Sequence, residues 1–168
     1  GGDELPARLA QGDGDRRGWP RPGTLKPLFG TSPARGQVLL SMYHLDGAPM
    51  GADPRHALRR QVEAMASKSL YPAGAFELEF FLLANERDAE GRVQPARAVL
   101  DGRKSGKTEV YSVDHLHGME PLISDIYAAC RLQDIPAETV ISEYAPGQYE
   151  LTLHYRKDVM QAADDLVL

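Results

Sequence analysis

Apolar residues recur along the chain at two spacings, and these mark the expected strands and helices. Val38 to Tyr43 reads as a short apolar strand, followed by the turn Asp46-Gly47. Asp53-Pro54 reads as a helix start, with Asp as the cap and Pro at the first helical position. Leu58, Val62 and Met65 would share one face of that helix. Phe76 to Leu83 predicts a strongly apolar strand that carries two glutamates. Residues 84–108 are polar, contain Gly91, Gly102 and Gly106, and predict a loop. Glu120 to Gln133 predicts a second helix, with Leu122, Ile126 and Ala129 on one face. Thr139 to Tyr155 predicts a β-hairpin, and Lys157 to Leu168 a third helix through Val159, Ala163 and Leu166. No Gly, Asn or Pro follows that last periodic run, so the chain is expected to be cut from something longer. The Gly1-Gly2 start, with no Met, is expected to be a processed, truncated or tagged end.

Composition changes this picture most near the N-terminus. Residues 1–36 hold eight Gly and five Pro, which leaves little room for regular structure. Glu4 to Gln11 could form a short helix there. Trp19, Leu25, Leu28 and Phe29 are more apolar than a flexible linker needs, so this arm is expected to pack, for instance on another subunit. Over all 168 residues the net charge is -5, which argues against a general nucleic-acid binder. No apolar run approaches the roughly 18 residues of a membrane span. Cys130 is the only cysteine, so an intrachain disulfide and a cysteine-built zinc site are both excluded. It reads as a small buried residue on a helix, and a reducing cytoplasm fits.

The chemistry concentrates in two segments. In Ala75-Phe76-Glu77-Leu78-Glu79-Phe80-Phe81-Leu82-Leu83, strand alternation puts Glu77 and Glu79 on one face, roughly 6.8 Å apart. Phe81 and Leu83 continue that face as apolar, and a strand apolar on both sides is expected to be buried on both. Carboxylates in such a place need a charge partner or a proton. In the hairpin, Ala145-Pro146-Gly147-Gln148 suits a type II turn. With Pro146-Gly147 at its centre, Glu143 is expected directly opposite Glu150. Like charges so placed destabilise a strand pair. Lys and Arg are sparse around both segments, and hard oxygen ligands at this density suit magnesium or manganese. The same pattern also fits solvated glutamates on an edge strand.

These segments also resemble a known family. Residues 75–83 look like the Glu-x-Glu strand that opens the catalytic domain of glutamine synthetases. Ser142-Glu143-Tyr144-Ala145-Pro146-Gly147-Gln148-Tyr149-Glu150 resembles that family's second metal-binding segment. Thr24-Leu25-Lys26-Pro27-Leu28 and the strand, turn and helix of 37–69 resemble the approach to that domain. The resemblance implies an α+β fold: an N-terminal arm and the end of the β-grasp region over 1–70, then the first part of the catalytic domain over 71–168. It implies an ATP-dependent ligase that joins ammonia or an amine to the γ-carboxylate of glutamate through γ-glutamyl phosphate. Glu79, Glu143 and Glu150 match the ligands of one metal site, and Glu77 matches one ligand of a second that bridges to the nucleotide phosphates. Glu138 and Tyr155 fall where the family contacts the nucleotide. The cofactors implied are magnesium or manganese, with ATP as co-substrate.

The family's remaining site histidine and glutamate, its glycine-rich substrate segment and its phosphate-binding arginines lie further along than this chain reaches. His115, His117 and His154 do not match the missing histidine; the first two read as surface residues and the third as a partner within the hairpin. The chain alone is therefore expected to be inactive. The resemblance places active sites between subunits of stacked homo-oligomeric rings, and implies a cytoplasmic enzyme with no nucleic-acid or membrane partner. Tyr144 to Glu150 resembles the γ-glutamylpolyamine or γ-glutamylamine branch more than the ammonia-using enzymes. Two other readings stay open: a non-catalytic relative that binds metal or metabolite for regulation or assembly, and an unrelated acidic α+β domain.

Overall fold

The computed structural model describes residues 14–108 and 110–168. The expected helix from Glu4 to Gln11 lies outside them. Two small antiparallel pairs open the fold. Strand β1 (Arg17–Pro20) pairs with β4 (Leu40–Tyr43), and β2 (Lys26–Pro27) with β3 (Gly36–Gln37). The Gly- and Pro-rich arm thus forms edge strands. Its prolines and glycines allow this because each pair is short and two-stranded. Trp19 and Leu25 of the arm remain more than half exposed, so these two are not buried among the described residues.

Helix α1 (Pro54–Ala66) starts as its sequence predicts. Asp53 Oδ1 accepts from the N–H groups of Arg55 (2.8 Å) and His56 (3.1 Å). Its Oδ2 accepts from Met42 N–H at 2.7 Å, so one carboxylate both caps the helix and ties it to β4. His56, not the Leu58–Val62–Met65 stripe, is the buried residue of α1. Its Nε2 donates to the Met42 carbonyl at 3.0 Å, and the Arg59 guanidinium lies against Nδ1.

The central element is a three-stranded antiparallel sheet in the order β5 (Glu77–Phe81), β9 (Gln148–Leu153), β8 (Ala137–Ser142). One face carries Leu78, Phe80, Val140, Tyr149, Leu151 and Leu153. Helix α3 (Glu120–Gln133) covers it, and Cys130, Val140, Leu151 and Leu153 form the buried core, flanked by Ile123, Ile126 and Tyr127. Cys130 is buried as expected, and burial pushes its thiol pKa up. Left-handed Asp134 (φ 57°) ends α3.

The apolar strand is shorter than Phe76 to Leu83 suggests, because the chain changes partners at Leu82. Leu82 N–H donates to the Gly147 carbonyl at 2.8 Å, whereas its carbonyl accepts from Ala96 N–H at 2.8 Å. Beyond it, β6 (Leu83–Arg87) and β7 (Val93–Pro95) form a hairpin in the stretch expected to be loop. The Asp88 carboxylate organises its turn by accepting from Glu90 and Arg92 N–H. A short helix α2 (Val113–Gly118) was likewise not evident from periodicity, being too brief to show a repeat. Helix α4 (Val159–Val167), capped by Asp158, closes the fold. It is held to α1 by a bidentate Arg55–Asp164 pair at 2.8 and 2.9 Å. No helix among the described residues is long and apolar enough to cross a membrane.

Candidate metal and nucleotide site

The open face of the sheet, opposite α3, collects the carboxylates. Strand alternation places Glu77, Glu79 and Phe81 of β5 beside Thr152, Glu150 and Gln148 of β9, and beside Thr139 and Ile141 of β8. Glu79 stands directly opposite Glu150, and Glu77 opposite Thr152. The hairpin register differs from the expectation: Ser142 pairs with Tyr149 and Ile141 with Glu150, so Glu143 does not face Glu150. The type II turn itself is present, with Gln148 N–H donating to the Ala145 carbonyl at 2.9 Å and Gly147 at φ +78°. The pairing slips because Glu143 N–H bonds to the Gln148 carbonyl, which lengthens the loop around that turn. The like-charge opposition is real but falls across β5 and β9.

Gly147 is required here for space as well as for its φ. A Cβ at this position would come within 2.8 Å of the Leu82 carbonyl oxygen and 3.0 Å of Pro95 Cβ. Close approach of the turn to the β5–β6 junction fixes the Glu143 loop beside the Glu-x-Glu strand.

The expected burial of this face on both sides does not hold in this chain. β5 is an edge strand of the sheet, Glu77 and Glu79 are exposed, and Glu143 and Glu150 are half-buried. Each of three carboxylates has a local donor. Glu79 Oε2 accepts from Gln148 Nε2 at 2.6 Å, Glu150 Oε1 from Thr152 Oγ1 at 3.1 Å, and Glu143 Oε2 from Tyr144 N–H at 3.2 Å. Among the described residues no Lys or Arg forms an ion pair with any of the four. Also among the described residues, no three His, Cys, Asp or Glu groups converge tightly enough to hold a metal as they stand. The donor set nonetheless fits a hard divalent cation in its chemistry: carboxylate oxygens on one face, two of them directly opposed, and no ammonium or guanidinium among them.

Glu138 and Tyr155 lie at the other end of the β8–β9 ladder from the turn. Glu138 sits at the bulge where the register shifts between Ala137 and Thr139, and pairs with His154 Nδ1 at 3.4 Å. His154 lies one residue past the end of β9, not on a strand, and faces Glu138 of β8. Tyr155 is 66% exposed. His115 departs from the surface reading: it is half-buried on α2, and its Nε2 lies 2.9 Å from the Tyr149 hydroxyl on the core side of the sheet.

Two residues beside the site escaped sequence reasoning. Gln148 contacts Glu79 through its side chain, which only the strand register reveals. Tyr111 is 69% exposed, adopts a left-handed φ of 56°, and donates its N–H to the Ser142 carbonyl at 2.9 Å. Backbone strain of this kind costs on the order of 1–3 kcal/mol in a bulky residue and gathers at functional sites. Nothing in the residue pattern around Tyr111 signals it.

Comparison with known proteins places the chain in a family. The model of the glutamine synthetase catalytic domain matches residues 51–168. The chain belongs to the glutamine synthetase family. Within it, the chain is 39% identical over 154 residues to the gamma-glutamylputrescine synthetase PuuA of Escherichia coli K12, covering 92% of this chain and 33% of that protein. It is 32% identical over 130 residues to a glutamate–isopropylamine ligase of a Pseudomonas species, covering 77% of this chain and 28% of that protein. A solved structure described as a GmaS/ADP complex superposes with a TM-score of 0.71 at 25% identity, covering 92% of this chain and 33% of that one. The chain thus spans about a third of the length of the relatives it matches.

Proposed function

We propose that this chain supplies the carboxylate sheet of an ATP-dependent ligase that joins an amine, or ammonia, to the γ-carboxylate of glutamate. One observation carries the reading: Glu77, Glu79 and Glu150 share an open sheet face, with Glu79 and Glu150 opposed and, among the described residues, no Lys or Arg paired to them. In this reading Glu79, Glu150 and Glu143 hold one divalent metal, magnesium or manganese, and Glu77 contributes to a second. Bound metal would neutralise charge on the transferring phosphoryl group and on the γ-glutamyl phosphate formed from it. Glu138 and Tyr155 serve the nucleotide. The order along the ladder supports this division, because Glu77 lies between the Glu79–Glu150 pair and the Glu138 end.

An amine acceptor is favoured over ammonia by the likeness to proteins named for putrescine and isopropylamine. The intact protein acts as a homo-oligomer in the cytoplasm, with the site completed by residues outside this chain. Residues 1–70 belong to the arm and β-grasp region and 71–168 to the catalytic domain. The small β1–β4 and β2–β3 pairs precede that division, and the carboxylate sheet follows it.

The test is ADP release by the intact protein with glutamate and a panel of ammonia, methylamine, ethanolamine, putrescine and spermidine. Metal-dependent turnover is expected, highest with an amine, and Glu79→Gln should abolish it. Near-normal turnover in that variant would overturn the assignment. One alternative is a non-catalytic relative used for regulation or assembly, and the like-charge opposition kept between Glu79 and Glu150 counts against it. That alternative requires metal or nucleotide binding without ADP release for any acceptor.

A further inference from the structure

Gln148 makes four polar contacts that meet at the candidate metal site. Its backbone N–H donates to the Ala145 carbonyl at 2.9 Å, and its backbone carbonyl accepts from Glu143 N–H at 2.9 Å. Its side-chain Oε1 accepts from Ala145 N–H at 3.1 Å, and its Nε2 donates to Glu79 Oε2 at 2.6 Å. The third contact decides the fourth. A backbone N–H can only donate, so Oε1 must face Ala145 and the amide cannot flip. Nε2 is then obliged to point across the ladder. Gln148 is paired opposite Phe81, which makes Glu79 its diagonal neighbour on the same face, within reach of a long side chain. An amide held in this way donates to a carboxylate of fixed position without bringing a charge to compete with a metal.

We propose that Gln148 is a positioning residue for metal binding: its turn-locked amide sets the Glu79 carboxylate against Glu150, and its backbone sets Glu143. This deepens the reading of the site given above and rests on it. Glu79 left to itself is an exposed, flexible side chain whose ordering opposes metal capture. Hydrogen bonds that orient metal ligands typically change affinity by about 10- to 100-fold when removed.

The experiment measures manganese binding to the intact protein by titration calorimetry, alongside thermal melting in chelator and in manganese. Gln148→Met keeps length and removes both side-chain hydrogen bonds; it should weaken manganese binding about 10-fold or more and raise the manganese concentration needed for half-maximal turnover. Saturating manganese should restore most of kcat. Gln148→Glu keeps an acceptor for Ala145 N–H, and so keeps the turn, while setting a second carboxylate against Glu79. It should melt below the parent in chelator and recover much of that difference in manganese. Wild-type affinity in Gln148→Met, or an equal melting deficit with and without manganese in Gln148→Glu, overturns the inference. Glu79→Gln separates the two levels: if it binds manganese like the parent, the metal reading itself fails. If it loses binding while Gln148→Met does not, the metal reading stands and Gln148 has no positioning role.

Discussion

The two faces of the β5–β9–β8 sheet are built from alternate residues of the same strands, yet they answer to different demands. On β9, Tyr149, Leu151 and Leu153 point toward α3 and are buried, while Gln148, Glu150 and Thr152 point away and are only half-buried. The α3 face is what folding alone would select: apolar side chains packed at contact distance around Cys130 and Val140. The other face places two carboxylates opposite each other, which folding alone disfavours. Under the proposed reading, that arrangement is kept beside a well-packed core for a cation that comes from elsewhere. The difference separates residues that build the sheet from residues that the fold itself does not require.

Substitutions on the two faces should therefore have opposite signatures, and the largest effect lies in the core. Leu151→Ala removes a side chain only 7% exposed and should cost about 2–5 kcal/mol, read from denaturant unfolding of the intact protein. Its loss of activity should track the loss of folded protein. If Leu151→Ala unfolds no more easily than the parent, the α3 face is not the core.

Asp53 sharpens the contrast, because it is a buried carboxylate whose charge the backbone satisfies. Burial would push its pKa up, but the N–H groups of Met42, His56 and Arg55 outweigh this and hold it below the ordinary 3.8. Its folded-state pKa is depressed, so its contribution to stability is present above about pH 4 and is lost as the pH falls below that. Asp53→Ala should cost about 0.5–2 kcal/mol at neutral pH. The variant should also show a smaller drop in melting temperature than the parent between pH 5 and pH 3.

A smaller effect of opposite sign is expected from the carboxylate face. Glu150→Gln removes the like-charge opposition to Glu79 and should stabilise the metal-free protein by about 0.2–1 kcal/mol. Melting in chelator checks this, and a clear loss of stability would mean that Glu150 is structural. The smallest effect belongs to Glu138→Gln. It alters a 3.4 Å contact with His154 in which both side chains are about half exposed, worth no more than about 1 kcal/mol. Its consequence should instead be a higher KM for ATP, with the melting temperature nearly unchanged.

Much of this division could be read along the chain, and the exceptions have physical causes. The Asp53 cap, the helix of Glu120 to Gln133, the hairpin and the buried Cys130 are local signals, and each is found where its residues place it. The hairpin register differs by two residues from the turn-centred one because a side-chain-independent hydrogen bond, Glu143 N–H to the Gln148 carbonyl, lengthens the loop. The β6–β7 hairpin leaves no mark in the sequence because its strands are polar and mostly exposed, so no apolar alternation runs along them. That Glu77 and Glu79 lie on an open edge could not be read either. Their burial depends on what lies beside β5, and the local sequence is equally apolar in both cases. The glutamates themselves were legible as a set; which of them face each other was a matter of register alone.

The central claim is that the open face holds a divalent metal through Glu79 and Glu150. Calorimetric titration of manganese into the intact protein and its Glu150→Gln variant tests it most directly, with melting in chelator run on the same samples. The account predicts that the variant melts no lower than the parent in chelator but has lost most of its manganese affinity. Unchanged manganese binding by a folded Glu150→Gln variant would contradict it.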